Sequence, residues 1–204
     1  MMKIITLKKL ITISFCIFLS KNLNAEYKHK ETWQNTNLFP AINENAQRSK
    51  ERSALHEAAH LIIYEHFLGI SNISEITIKN DITTNPHTEF KIHPENKHDI
   101  NIMLASYIIE EMFFNNASKG IYLDLEYVIE DILKFYPQTA GPNIIEIKNI
   151  LQNYINETKN IILQNINKIK IFSNILLTEK DTLNNAEIKA IFNKINNNLL
   201  TISQ

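Results

Sequence analysis

Ser53-Ala-Leu-His-Glu-Ala-Ala-His-Leu-Ile-Ile63 carries the pattern H-E-x-x-H at His56, Glu57 and His60. On a helix, residues four apart share one face, so both imidazoles can reach a single metal ion. Two neutral imidazoles at that spacing suit zinc, which takes nitrogen ligands at about 2.0–2.1 Å. Glu57 is turned by roughly 100° from His56 about the helix axis, so its carboxylate can flank the ion without occupying it. From there it can take a proton from water held at the ion, the chemistry of a metal-dependent peptide hydrolase. Leu55, Ala58, Ala59, Ile62 and Ile63 make the segment apolar. The helix is therefore expected to be buried, and its histidines and glutamate to need partners. The motif lacks a third ligand.

Around this stretch the chain is ordinary globular material: 204 residues, 44% hydrophobic, net charge −1. That length supports one good core and one folded domain. The charge gives no basic footprint for nucleic acid. Glycine occurs only at 69, 120 and 141, which leaves no P-loop and no G-x-G-x-x-G fingerprint, so neither nucleotide nor nucleic acid is an expected partner.

Residues 1–25 read as a targeting segment, with Lys3, Lys8 and Lys9 ahead of a largely apolar run from Leu10 to Leu19. Ala25 fits a cleavage site. An uncleaved signal-anchor is the alternative, since the run is short of the about 20 residues of a spanning helix. Either route exports the domain to a periplasmic or secreted location, tethered there if the anchor is not cleaved. Cys16, the only cysteine, falls in this segment, so no disulfide is expected in the mature chain. Residues 26–48 read as a linker or arm.

The H-E-x-x-H helix is expected to start between Asn45 and Ser53, to run to about Phe67 and to stop at Gly69. Ile73 to Lys79 and His87 to His93 alternate as two strands separated by a turn. His87, His93 and His98 are candidate ligands by residue type, and strand-face or loop histidines by context. Asp99 is a candidate cap for a helix to about Asn115. Glu110 and Glu111 lie near its end, and one of them could point inward to orient a histidine ligand. Asp124 sits at the start of a further helix that Tyr136-Pro137 ends, and an N-cap is its plain reading. Gly141-Pro142 opens a long amphipathic stretch to Thr178, read as a helical hairpin for a core or an oligomer contact. Asp181 or Thr182 introduces a last helix, Ala186 to Ile195. A polar tail occupies 197–204.

Taken in order, these segments resemble the peptidase domain of the FtsH family of membrane-bound, ATP-dependent zinc metalloproteases. Ala54-Leu-His-Glu-Ala-Ala-His-Leu61 is similar to that family's metal-binding helix, with Ala59 at a usual glycine. Ile76-Thr-Ile-Lys79 resembles the strand that follows, with Asn80-Asp81 where the family tends to have Arg-Gly. Leu104-Ala-Ser-Tyr-Ile-Ile-Glu-Glu-Met-Phe-Phe114 resembles L-A-G-R-x-A-E-E-L-x-F. Gly120-Ile-Tyr-Leu-Asp-Leu125 stands where the family has G-A-x-x-D-L, and Glu179 to Ile188 resembles its closing E-T-L-x-G-x-E-I. The resemblance implies zinc held by His56, His60 and Asp124, with Glu57 as general base. Of the two adjacent glutamates, Glu110 is the one expected to support a ligand.

The expected fold is mainly α (α+β): a single zinc-peptidase domain over 49–196, with a small β-hairpin or sheet after the H-E-x-x-H helix and a long C-terminal helical hairpin. The expected activity is that of a zinc metalloendopeptidase acting on unfolded proteins or peptides. The strand around Thr77 is expected to pair with extended substrate at a sheet edge. The family's ATPase module has no counterpart among these residues, so hydrolysis is expected to be ATP-independent. The alternative is a catalytically degenerate module that acts as a binding or regulatory subunit, or as a ring partner of a full-length protease.

Overall fold

A computed structural model describes residues 38–43, 45–46, 49–80, 86–90, 96–137 and 144–200. The targeting segment, nearly all of the arm and His93 lie outside the described residues. The chain divides into Met1–Pro40 and Ala41–Gln204. Of the first unit only 38–40 are described, and they form a bend and the start of a turn.

The second unit runs β1 (Ile42–Asn43), α1 (Lys50–Leu68), β2 (Ile73–Thr77), β3 (His87–Phe90), α2 (His98–Phe114), β4 (Ala117–Ser118), α3 (Tyr122–Phe135), α4 (Ile144–Gln164), α5 (Ile166–Thr178), β5 (Thr182–Asn184) and α6 (Asn185–Asn196). It is the expected mainly helical α+β fold with a small sheet. Among the described residues no helix is long and apolar enough to cross a membrane.

Helix α1 is the centre. Ser49 caps it by accepting a hydrogen bond from the Arg52 amide at 3.1 Å, satisfying one of the orphan donors of the first turn. Gly69 ends it at φ 74°, a backbone region that favours glycine. From Arg52 through Tyr64 every residue is buried, so α1 has no solvent face over that span. Helices α2 and α5 pack on it, and β2 and β3 lie against it as well. This burial makes a polar motif costly unless each polar atom is answered.

The three-stranded sheet has the order β3-β2-β5, all antiparallel. Strand β2 is therefore central, and the expectation that the strand around Thr77 forms a sheet edge is corrected. Thr77 faces Thr182 across the β2–β5 pair, with their hydroxyls 2.7 Å apart. Strand β5 escaped the sequence reading because three residues are too few to display an alternation. The outer strand on the other side is β3.

Three further details differ from expectation. Asp99 is not the cap of α2: the helix begins one residue earlier, and the Asp99 carboxylate accepts from the Asn96 amide at 3.0 Å. Asn184 replaces Asp181 or Thr182 as the cap of α6. It forms a capping box with Glu187, each side chain accepting from the other's backbone amide. The stretch to Thr178 is a rod bent at Asn165 in place of a hairpin, with α4 packed on α2 and α5 packed on α1. At the bend the Asn165 side-chain amide donates to the Ile161 carbonyl at 3.0 Å, a local bond that competes with regular helix. Buried Asn101 ties α2 to α4 by donating to Glu157 and Thr158 at 3.1 and 3.0 Å.

Half-buried Asp131 on α3 carries a pH-dependent cost. Burial pushes its carboxyl up to about 6, and Asp99 and Glu130 add to the effect. An unfolded aspartate titrates near about 3.9, so the folded chain holds this proton more tightly. The cost of ionising Asp131 therefore grows as pH rises from about 4 through 6 and is complete above that. Asp131→Asn is expected to raise the unfolding temperature at pH 7.5. The gain should stay under about 1 kcal/mol, because solvent screens a half-exposed group, and should vanish at pH 4. Calorimetry at both pH values checks this, and an equal gain at both would contradict it.

Candidate metal centre

Helix α1 presents His56 and His60 one turn apart, 3% and 5% exposed, with ring centroids 4.9 Å apart. Glu57 lies between them in sequence and is 2% exposed. The ligand atoms of these three residues lie within 4.8 Å of one another, so the buried group can hold a metal ion.

Asp124 reaches the same point from a different element. Strand β4 and a short 3-10 turn, Lys119–Ile121, lead into α3, with Asp124 in the first turn. It is not the helix cap: Ile121 holds that position. The Asp124 Oδ2 atom lies 3.2 Å from His56 Nε2 and 3.4 Å from His60 Nε2. A tetrahedral ion with bonds of about 2.0–2.1 Å separates its ligand atoms by about 3.3 Å. The donor set thus fits such an ion.

Helix α2 holds the far nitrogens of both histidines and the Oδ2 atom of Asp124. His60 Nδ1 lies 2.7 Å from the Ile102 carbonyl. A carbonyl only accepts, so this nitrogen carries the hydrogen and Nε2 keeps its lone pair. His56 Nδ1 donates in the same way to Glu110 Oε1 at 3.0 Å. Ser106 Oγ lies 2.8 Å from Asp124 Oδ2 and 3.0 Å from the Met103 carbonyl. Residues 102, 106 and 110 are each four apart, so one stripe of α2 answers all three. Such partners fix ring orientation and tautomer at metal sites.

Glu57 is held separately. Its Oε2 accepts from Thr88 Oγ1 of β3 at 3.1 Å, while Oε1 lies 3.8 Å from His56 Nε2. A cleft of about 450 Å³ opens over the group, lined among others by Thr88, Phe90, Met103 and Leu123. Metal-side atoms and the glutamate face this one opening.

Electrostatics point the same way. Glu57 and Glu110 are buried carboxylates, Asp124 adds a third whose side chain is 18% exposed, and Arg52 is the guanidinium beside them, 2.8 Å from Glu110. With neutral histidines two negative charges remain, which a divalent cation cancels. Burial works against charge on the His56 ring, yet Glu57, Asp124 and Glu110 outweigh it and push the ring up to about 9. Burial also opposes the charge on Asp124, but His60 and His56 hold that carboxyl well below its usual range. Glu110 is likewise held low against its burial, by His56, Arg52 and the Ser118 amide.

The fold brings His56, Glu57, His60, Glu110 and Asp124 to one place. His87 stands at the rim of the cleft, with its side chain 43% exposed and Nε2 3.5 Å from Glu75. His98 stacks on Phe67, with centroids 4.1 Å apart. The sequence reading missed Ser106, Thr88 and Arg52. Two of these had a readable signal: Ser106 lies one helical turn before Glu110, and Arg52 one turn before His56. No protein-family model matches the chain, and no curated protein matches it either.

With Zn2+ as the probe at about a hundred times its Kd, binding to the folded chain adds about 2.7 kcal/mol of stability. For a domain of this size that is a rise of about 5–10 °C in the unfolding temperature. Asp124→Asn is expected to lose most of the rise. An undiminished rise in that variant would exclude Asp124 from the site.

Proposed function

We propose that this chain is a zinc-dependent metalloendopeptidase, of the kind found in the FtsH family, that hydrolyses unfolded proteins or peptides without ATP. The observation that carries this reading is the approach of Asp124 Oδ2 to both Nε2 atoms, at 3.2 and 3.4 Å. It supplies the third ligand absent from H-E-x-x-H, from the position that the resemblance implies. Two imidazoles and one carboxylate facing an open cleft are the donor set of a catalytic zinc. When bound, zinc supplies a Lewis acid that polarises a carbonyl and makes water more acidic.

The remaining work falls to the chain's own residues. Glu57 removes a proton from the attacking water and delivers it to the leaving amine. Thr88 steadies that carboxylate through Oε2, leaving Oε1 for the reacting water. Glu110, the Ile102 carbonyl and Ser106 keep the two rings and Asp124 aimed at one point. An extended substrate pairs with β3, the outer strand that carries Thr88 into the cleft, by adding a strand to the sheet. Strand β2 has no part in that pairing. The targeting segment implies that the reaction takes place outside the cytoplasm.

The purified chain is expected to degrade a permanently unfolded protein in the presence of zinc alone. Glu57→Gln should lower the rate by at least about a hundredfold while zinc content is unchanged. A zinc-loaded, folded chain that cleaves nothing would instead favour a binding or regulatory module.

A further inference from the structure

Arg52 lies one helical turn before His56 and is 7% exposed. Its Nη1 donates to Glu110 Oε2 at 2.8 Å and to the Asn116 carbonyl at 3.0 Å. Nη2 donates to Asn116 Oδ1 at 3.1 Å. The Phe114 ring lies under the guanidinium, 4.2 Å from its central carbon to the ring centroid. The fork is thus fixed on three sides by residues at the end of α2 and just beyond it.

Glu110 is fully buried and divides its two oxygens between different tasks. Oε2 accepts from Arg52 and from the Ser118 amide, the latter at 2.7 Å. Oε1 is left to His56 Nδ1 at 3.0 Å. Rotating this carboxylate away from His56 breaks the bonds at Oε2 as well. A buried ion pair contributes little stability beyond what a well-packed apolar pair would give. The distinctive consequence of Arg52 is therefore geometric: it fixes the plane in which Glu110 meets the ring.

We propose that Arg52 is a positioning residue of the metal centre. By anchoring Glu110 Oε2 it aims Oε1 at His56 Nδ1, and so sets how tightly His56 Nε2 holds the ion. The inference rests on the reading of His56, His60 and Asp124 as ligands. It goes beyond that reading by extending the site to a residue that touches neither ion nor substrate. A lysine in this place keeps the charge but loses the planar fork.

The test is zinc affinity, measured on the full 204-residue chain by competition with a chromophoric chelator, with the unfolding temperature of the metal-free protein recorded alongside. Arg52→Met is expected to weaken zinc binding about tenfold, the effect of removing a partner behind a ligand. Arg52→Lys should recover part of the loss. The double variant Arg52→Met/Glu110→Gln should bind zinc no more weakly than Glu110→Gln, because residues acting through one another are not additive. A purely structural Arg52 would lower the metal-free unfolding temperature and leave affinity within about twofold of wild type, which overturns the proposal. Losses that add in the double variant overturn it too. Should Arg52→Met fail to fold, Arg52→Lys decides: affinity equal to wild type overturns the proposal, and a measurable weakening supports it. A wild-type chain that binds no zinc removes the ligand reading and this inference together. Zinc-binding wild type with unaffected Arg52 variants removes the inference alone.

Discussion

The interaction on which the rest depends is the contact between one face of α1 and one stripe of α2. Helix α1 is buried on all sides between Arg52 and Tyr64, yet it carries Arg52, His56, Glu57 and His60. In an apolar interior such groups are tolerated only with partners, since an unanswered buried polar atom costs on the order of a few kcal/mol. Helix α2 supplies partners for His60 at the Ile102 carbonyl and for His56 and Arg52 at Glu110, while β3 supplies Thr88 for Glu57. The packing of α1 on α2 therefore does two things at once: it closes the core and it points ligand atoms at one spot. A shift of one residue between these helices would lose both.

Charge explains why the arrangement points to a cation and not merely to a polar core. An internal network that balanced itself would pair each acid with a base. Here Arg52 answers Glu110, while Glu57 and Asp124 stand beside histidines whose outer nitrogens already donate elsewhere. With the histidines neutral, the surplus of negative charge, the converging Nε2 and Oδ2 atoms and the cleft above them all fit a divalent ion. Each element contributes a different atom. Helix α1 brings the imidazoles, α3 the aspartate, β3 the hydroxyl on Glu57, and α2 the support behind the ligands.

How much of this was legible in the sequence depended on how local each signal was. The span of α1 was readable because helical spacing and Gly69 after the end agree. Glu110 and Glu111 were indistinguishable by type. Adjacent helical positions differ by about 100° in direction, and the fold resolves them, with Glu110 fully buried and Glu111 only partly so. Asp124 read on its own as a cap, because the residues that give it another role are remote in sequence, and only the ordered resemblance to a family implied otherwise. Strand β5 and the bend at Asn165 were illegible for opposite reasons. The first is too short to carry a period, and the second interrupts a period that continues on both sides. Missing β5 then misassigned the sheet edge, since β2 looks like an outer strand until Thr182–Asn184 is paired with it.

The most direct test of the central claim is X-ray absorption at the zinc edge of the zinc-loaded chain. The account predicts scattering from two imidazoles with additional oxygen ligands at about 2.0–2.1 Å, in fourfold coordination. It also predicts loss of an oxygen contribution, with both imidazoles retained, in Asp124→Asn. An ion surrounded by oxygen alone, or one bound by a single imidazole, would contradict the convergence of His56, His60 and Asp124 on one metal.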